Sequence, residues 1–117
     1  MDDLKFCELR AANVARIPTF RNSRGKVAHK LADGSDWTPA QWLQAIVGEI
    51  GEYANYRKKY ERGDISEEQF LQEAAKELAD VQTYLDLLAM RLGIDLGKAT
   101  RDKFNEVSER VGSHVRL

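Results

Sequence analysis

The sequence contains few of the residues that cross-link a chain or interrupt its helices. There is one cysteine, Cys7, and there are two prolines, Pro18 and Pro39, in 117 residues. A single cysteine excludes an internal disulfide and a CxxC metal site, and it is typical of a protein of the reducing cytoplasm. The scarcity of proline leaves long windows open to helix. We therefore expect an all-α fold, an antiparallel bundle of about four helices.

Long apolar runs and an excess of one charge are also absent. No run approaches the roughly 18 apolar residues of a membrane span, and no signal peptide opens the chain. Charged residues make up 32% of the chain but balance to a net charge of −1, so nucleic-acid binding is not expected. We expect no membrane partner either. The length suits one domain, residues 1–117, and an apolar content of 43% is enough for a core.

The first 37 residues predict a helix followed by a basic loop. Apolar residues recur among charges in residues 2–16, which favours a short helix. Residues 17–36 read as a loop, with room for a short helix at Lys26–Ala32. The basic residues of this region are Arg16, Arg21, Arg24, Lys26, His29 and Lys30. Loops of this length are often functional, but a mobile surface loop is an equally good interpretation.

The second helix has a recognisable start. Thr38 can be its N-cap, Pro39 occupies the first helical position, and Gln41 completes a capping box. Trp37 and Trp42 flank this start at the spacing of a hydrophobic staple. The local pattern therefore predicts a helix from residue 39 onward.

Two more helices follow. The second helix ends at Gly63, and Ser66 opens another capping box for a third helix that runs to about residue 92. Asp95 caps a fourth helix, residues 96–111. The short link between the second and third helices makes them antiparallel neighbours.

Apolar residues at helical spacing predict the core. They are Leu43, Ile46, Val47 and Ile50 on the second helix, Leu71, Ala74, Leu78, Leu85, Leu88 and Leu92 on the third, and Leu96, Ala99, Phe104, Val107 and Val111 on the fourth. We expect these side chains to pack inward, with Cys7 as a small core residue and His29 and His114 at the surface. The faces are wide for so short a chain, so we expect a homo-oligomer, either a dimer or a tetramer.

Two acidic pairs lie at matching heights on the second and third helices. Glu49 and Glu52 are three residues apart, as are Glu77 and Asp80, so each pair lies on one helix face. In an antiparallel hairpin the four carboxylates converge, and their mutual repulsion favours a bound cation. An all-oxygen site suits a hard divalent ion such as Mg²⁺.

The alternative is that these carboxylates face water. Acidic pairs with the same spacing occur elsewhere, for example at Asp33 and Asp36, and most such pairs are solvated helix faces. What distinguishes the two central pairs is their apolar and small neighbours, at the border of a core-facing stripe.

The acidic pairs also carry a family resemblance. Glu49-Ile-Gly-Glu52 and Glu77-Leu-Ala-Asp80, separated by the 24 residues 53–76, match the ExxE…ExxD pattern of MazG-like, all-α nucleoside triphosphate pyrophosphohydrolases. The run from Lys76 to Gly112 is similar to the second half of that family. Dimeric dUTPases and dCTP pyrophosphatases are similar relatives. The resemblance spans about residues 42–112 and makes 38–112 the catalytic helices.

The resemblance implies hydrolysis of a nucleoside triphosphate, often a deoxynucleotide, to the monophosphate and pyrophosphate. It implies that Mg²⁺, with Mn²⁺ as a substitute, binds Glu49, Glu52, Glu77 and Asp80, and that one glutamate instead orients or deprotonates the attacking water. It also implies a homo-oligomer with the active site near or across subunits. The preferred base and sugar are left open.

Substrate contacts follow less closely from the resemblance. Lys103 is similar to the family's phosphate-contacting lysine, but Val107 stands where many relatives have an asparagine, and Asn105 is a nearby amide. Arg24 of the basic loop is another candidate for the phosphates. Trp42 could stack on the base, or it could serve only as the staple.

Two other classes of protein compete with this interpretation. One is a non-catalytic helical module that binds nucleotides or proteins, whose carboxylates face water. The other is a ferritin-like di-iron protein, which requires Glu-x-x-His motifs that neither acidic pair provides.

Overall fold

The computed structural model describes residues 2–117 and is helical, as predicted. Its helices are α1 (Phe6–Arg16), α2 (Pro39–Glu61), α3 (Glu67–Arg91) and α4 (Leu96–Arg110), with a 3₁₀ turn at Ile17–Thr19. Within residues 2–117 the only β pairing is two isolated bridges. No helix in that range is long and apolar enough to cross a membrane.

Helices α2 and α3 form an antiparallel hairpin. Near the turn, Tyr60 stacks on Phe70 with ring centroids 5.0 Å apart. At the far end, the rings of Trp42 and Tyr84 lie 6.1 Å apart. The residue numbers rise on one helix as they fall on the other, which confirms the predicted direction. Gly63, with a φ of 79°, ends the first arm in the left-handed conformation that glycine adopts most readily.

The predicted helix caps are present. The Thr38 N–H donates to Oε1 of Gln41 at 2.9 Å. Ser66 and Gln69 exchange two bonds, since the Gln69 N–H donates to Ser66 Oγ at 3.1 Å and the Ser66 N–H to Gln69 Oε1 at 3.0 Å. The Asp95 side chain accepts the N–H of the third residue of α4 at 3.0 Å. These bonds are local, which is why the sequence predicts them well.

The short helix predicted at Lys26–Ala32 is wrong. The segment instead forms two tight reversals, closed by bridges between Arg21 and Val27 and between Lys30 and Asp36. The Asn22 side chain accepts the N–H groups of Arg24 and Lys26 at 2.9 and 3.2 Å. Such local side-chain acceptors offer the backbone an alternative to helical bonds, and this explains the difference.

A buried ion pair fastens α1 to α3. Asp86 is 1% exposed, and its carboxylate accepts the Arg10 Nε–H at 3.0 and 3.1 Å. Asn13, also buried, donates its amide to the same carboxylate at 3.0 Å. Arg10 adds a bond from Nη2 to the carbonyl of Ile94 at 2.9 Å. A buried charge needs this degree of pairing, so the network fixes where α1 lies.

The buried apolar core of the described chain is small. Its members are Trp42, Ile46, Phe70, Ala74, Leu87 and Ala89. Much of the predicted core is exposed instead, namely Leu43, Val47, Ile50, Leu71, Leu78, Leu85, Leu92, Phe104 and Val111. The expectation that these side chains pack inward is therefore wrong for the single chain. Helices α1, α2 and α3 pack together, and α4 contacts mainly α1. Each helix therefore has too few neighbours to cover a wide apolar face.

Helix α4 packs on α1 through a close approach at Gly97. A Cβ atom there would lie 3.1 Å from the Cβ of Phe6, so a larger residue would push the two helices apart. The next residue, Cys7, is exposed in the first turn of α1. Its predicted place in the core is wrong, because α1 begins at Phe6 and presents its second residue to solvent.

We expect Asp86→Ala to lower the free energy of unfolding by about 3 kcal/mol, because it leaves the half-buried Arg10 and the buried Asn13 without their acceptor. Urea denaturation followed by far-ultraviolet circular dichroism would measure the loss. The matched control is Asp102→Ala, which breaks an exposed pair with Lys98 and should cost less than about 1 kcal/mol. Equal costs for the two variants would contradict the role of Asp86.

Candidate metal centre

Three carboxylates meet midway along the α2–α3 hairpin. Glu49, Glu77 and Asp80 each place one oxygen within 4.8 Å of the others. Glu49 and Glu77 are half-buried, and Asp80 is exposed. Glu77 and Asp80 are one helical turn apart on α3, and antiparallel packing brings Glu49 of α2 opposite them. The predicted convergence of the two acidic pairs is therefore confirmed for these three residues.

Glu52 does not join the close group. It is exposed, and the set of mutually close oxygens contains Glu49, Glu77 and Asp80 only. Glu52 lies about one helical turn nearer the hairpin turn than Glu49, outside the group of mutually close oxygens. The structure thus brings three of the four predicted carboxylates together, and the role of Glu52 as a ligand stays a prediction. Its charge still acts on the site, since it helps to raise the pKa of Glu49.

The close approach of the carboxylates changes how Glu49 ionises. A hydrogen bond to Glu77 is the largest cause that raises the pKa of Glu49, from its ordinary 4.5 to about 7. Burial and the negative charges of Asp80, Glu77 and Glu52 raise it further. Glu49 therefore keeps its proton for part of the time at neutral pH in the metal-free chain, which relieves the repulsion within the group.

One oxygen of the site lacks a partner. Oε2 of Glu77 is buried and accepts no hydrogen bond within the described chain. A buried acceptor without a donor is costly, and a cation would satisfy it. The donor set is entirely oxygen, which suits Mg²⁺ or Mn²⁺ rather than a soft metal. By both tests, the residues present fit a hard divalent ion.

Two tyrosines, Tyr56 and Tyr84, are affected by the negative charges of the hairpin. Burial is the main cause that raises the pKa of Tyr84, and the charges of Glu49 and Asp80 add to it. The charge of Glu73 is the main cause that raises the pKa of Tyr56. The negative field thus extends along the hairpin beyond the close carboxylates. Tyr84 follows Asp80 by four residues, and this helical spacing is the sequence signal that could have placed it in the site.

An aromatic cluster closes the far end of the hairpin. We define it as Phe20, His29, Trp37 and Trp42. Trp42 is 2% exposed, stacks on His29 at 4.9 Å, and meets Trp37 edge-on at 4.9 Å. The predicted contact of Trp37 with Trp42 is confirmed. Base stacking on Trp42 is corrected to a packing role, because its ring faces are covered. The prediction that His29 is an ordinary surface histidine is also wrong.

The other predicted substrate contacts lie elsewhere in the chain. Lys103 pairs with Glu106 at 3.3 Å on α4. The Asn105 side chain donates to the carbonyl of Leu117 at 3.3 Å and accepts its N–H at 2.9 Å. Arg24 is exposed at the turn of the loop. The contacts described for residues 2–117 bring none of these side chains to the acidic group, so their roles stay predictions.

Comparison with known proteins found no relative of this chain. No model of a known protein family matches the chain, and no curated protein is similar to it in sequence. The resemblance to the MazG-like family therefore depends on the motif residues alone.

The raised pKa of Glu49 predicts a pH-dependent stability in EDTA. Between pH 4.5 and about 7, the folded state holds a proton that the unfolded state has released, so stability falls as pH rises. Glu49→Gln is neutral throughout and should avoid this loss. We expect its advantage over the wild type to be absent at low pH and to reach about 1 kcal/mol above pH 7, allowing for solvent screening.

Thermal unfolding of both proteins across this pH range would measure the difference, in which the titrating groups distant from Glu49 cancel. An advantage that did not change with pH would contradict the raised pKa of Glu49.

Proposed function

We propose that the protein is a MazG-like pyrophosphohydrolase, which hydrolyses a nucleoside triphosphate to the monophosphate and pyrophosphate in the presence of Mg²⁺. The observation that carries the proposal is the convergence of Glu49, Glu77 and Asp80 on one side of a helical hairpin. A purely structural hairpin would be more stable with neutral residues there, because like charges at this distance repel. The ExxE…ExxD pattern supports the same conclusion.

Glu77 and Asp80 of α3 and Glu49 of α2 would hold the ion, with Glu52 in reach at the edge. A bound Mg²⁺ neutralises phosphate oxygens and orients the triphosphate. The resemblance favours a deoxynucleoside triphosphate as the substrate class and leaves the preferred base and sugar open.

A glutamate of α2 would orient the attacking water or accept its proton. Glu49 is one candidate, because its carboxylate belongs to the close group and borders the position of the ion. Glu52 is the second candidate, because it lies beside the group and is exposed to solvent.

A panel of canonical and modified NTPs and dNTPs, assayed for pyrophosphate release with Mg²⁺, tests this activity. We expect turnover of at least one nucleotide and a loss of about 100-fold or more in kcat/KM for Glu77→Gln, in the range for removing one preorganised charged group. The control is Glu68→Gln, an exposed carboxylate in the first turn of the same helix, which should retain activity. Equal activity in both variants would contradict the site.

The exposed apolar residues support a homo-oligomer. Four leucines recur every seven residues along α3 and its C-cap, and each is between 37% and 57% exposed, namely Leu71, Leu78, Leu85 and Leu92. A seven-residue repeat forms a nearly straight stripe, which suits packing against another helix. We propose that a second copy covers this stripe, so that two hairpins complete a four-helix bundle beside the acidic groups. The choice between dimer and tetramer stays open.

Leu78→Glu should weaken this assembly. Burying a leucine contributes about 1.5–3 kcal/mol, and each copy loses one, so we expect the dissociation constant to rise at least about 100-fold. Sedimentation velocity at micromolar concentration would measure it. The control is Leu4→Glu, which changes a leucine that is 71% exposed and lies outside the helices. A wild-type protein that sediments as a monomer would contradict the assembly.

A non-catalytic interaction module is the alternative, and the exposed stripe favours it, since such a face also suits a different partner. The two functions differ in their response to metal. A native-state metal site raises the melting temperature with Mg²⁺ and loses the gain with EDTA, whereas a module would not respond.

A further inference from the structure

His29 occupies an unusual place for a titratable residue. Its ring stacks on Trp42 at 4.9 Å and meets Trp37 and Phe20 edge-on at 4.8 and 5.2 Å. It lies between the two β-bridges of the segment, and the Trp37 N–H donates to its carbonyl at 3.0 Å. The imidazole is thus the side chain that joins the segment 20–37 to the start of α2.

Two features of His29 are energetically unfavourable, namely its backbone conformation and a buried ring nitrogen. His29 has a φ of 62°, a left-handed conformation that non-glycine residues seldom adopt. Its Nδ1 is buried and has no hydrogen-bond partner within the described chain. A neutral ring leaves only an acceptor unpaired there. A protonated ring would place an N–H donor in the same spot with nothing to accept it, which is more expensive because the group is charged.

We propose that His29 makes the segment 20–37 responsive to pH, so that protonation of the ring detaches the segment from Trp42 while the helices persist. The feature that carries the proposal is the aromatic enclosure with its unpaired nitrogen. The proposal does not depend on the activity proposed above.

The charges around the cluster oppose a further positive charge. Within the segment, Lys30 forms an ion pair with Asp36. From α3, Arg91 donates its Nε–H to the carbonyl of Trp37 at 3.1 Å and also acts on Asp36. One carboxylate therefore faces two cations on this side.

The other side of the cluster adds a third cation. The Arg16 guanidinium, from the end of α1, lies over the Phe20 ring at 5.2 Å. Tyr84 of α3, beside Trp42, is neutral because burial raises the pKa of its phenol. Protonation of His29 would thus add a positive charge to surroundings that are already net positive.

One interaction acts in the opposite direction. A cation stacked on an indole is stabilised by the face of the ring. Two effects act against this, namely the unpaired buried donor and the burial of the ring, which lowers the pKa of His29 below 6.5. The balance favours the neutral ring in the closed segment and therefore opening on protonation.

The composition of the chain makes a clean test possible. Trp37 and Trp42 are its two tryptophans, and His29 and His114 are its two histidines. Tryptophan emission therefore reports on this cluster directly. On acidification of the full chain, we expect a red shift and an increase of about twofold or more in acrylamide quenching, with unchanged far-ultraviolet circular dichroism. The midpoint should lie below the ordinary histidine pKa of 6.5.

His29→Asn is the test variant, because asparagine tolerates a positive φ and does not titrate. It should show no change of emission over the same range, and the control His114→Gln should behave as the wild type. If His29→Asn fails to fold, proton NMR of the wild type gives the pKa of each histidine directly. Three results would each overturn the proposal. They are a wild-type emission that does not change with pH, a red shift that persists in His29→Asn, and a His29 pKa at or above the ordinary value.

Discussion

The packing of α2 against α3 is the constraint on which the rest of the structure depends. Tyr60 on Phe70 near the turn and Trp42 beside Tyr84 at the far end define the register of the hairpin. With both ends fixed by large aromatic side chains, the middle of the hairpin has no freedom to separate its charges. The carboxylates are therefore brought together by apolar contacts several turns away, which supply the free energy that offsets their repulsion.

The hairpin thus combines stabilising aromatic contacts at its two ends with carboxylates that repel one another in its middle. Oε2 of Glu77 has no hydrogen-bond partner within the described chain, and a hydrogen bond to Glu77, burial and the neighbouring charges raise the pKa of Glu49 to about 7. Folds accept such local conflicts mainly where a function requires them. The aromatic cluster repeats the pattern nearby, with a buried nitrogen and a left-handed backbone at His29. Both conflicts lie along the same hairpin and are linked through Trp42 and Tyr84.

The apolar residues of α3 differ widely in burial. Phe70, Ala74, Leu87 and Ala89 are buried. The stripe of leucines described above stays exposed in the single chain. Helix α1 is held by a hydrogen-bonded charge network around Asp86 rather than by a wide apolar contact. The single chain therefore has a small core and leaves much of its apolar surface exposed, and this exposed surface is the observation behind the proposed assembly.

The sequence alone determined the elements and their direction, because caps such as Ser66 with Gln69 and a short turn at Gly63 are interactions within a few residues. It also predicted the convergence of the acidic pairs, which the structure confirms for Glu49, Glu77 and Asp80. The tertiary structure decided the finer points. Glu52 lies outside the close group, and no local pattern reveals which of the carboxylates approach one another. Likewise Asp86 looks like one charge among many until α1 is placed, and His29 becomes enclosed only when the loop folds back. Contacts between residues far apart in sequence depend on the packing of whole helices, and that packing is set by the sum of many small contacts.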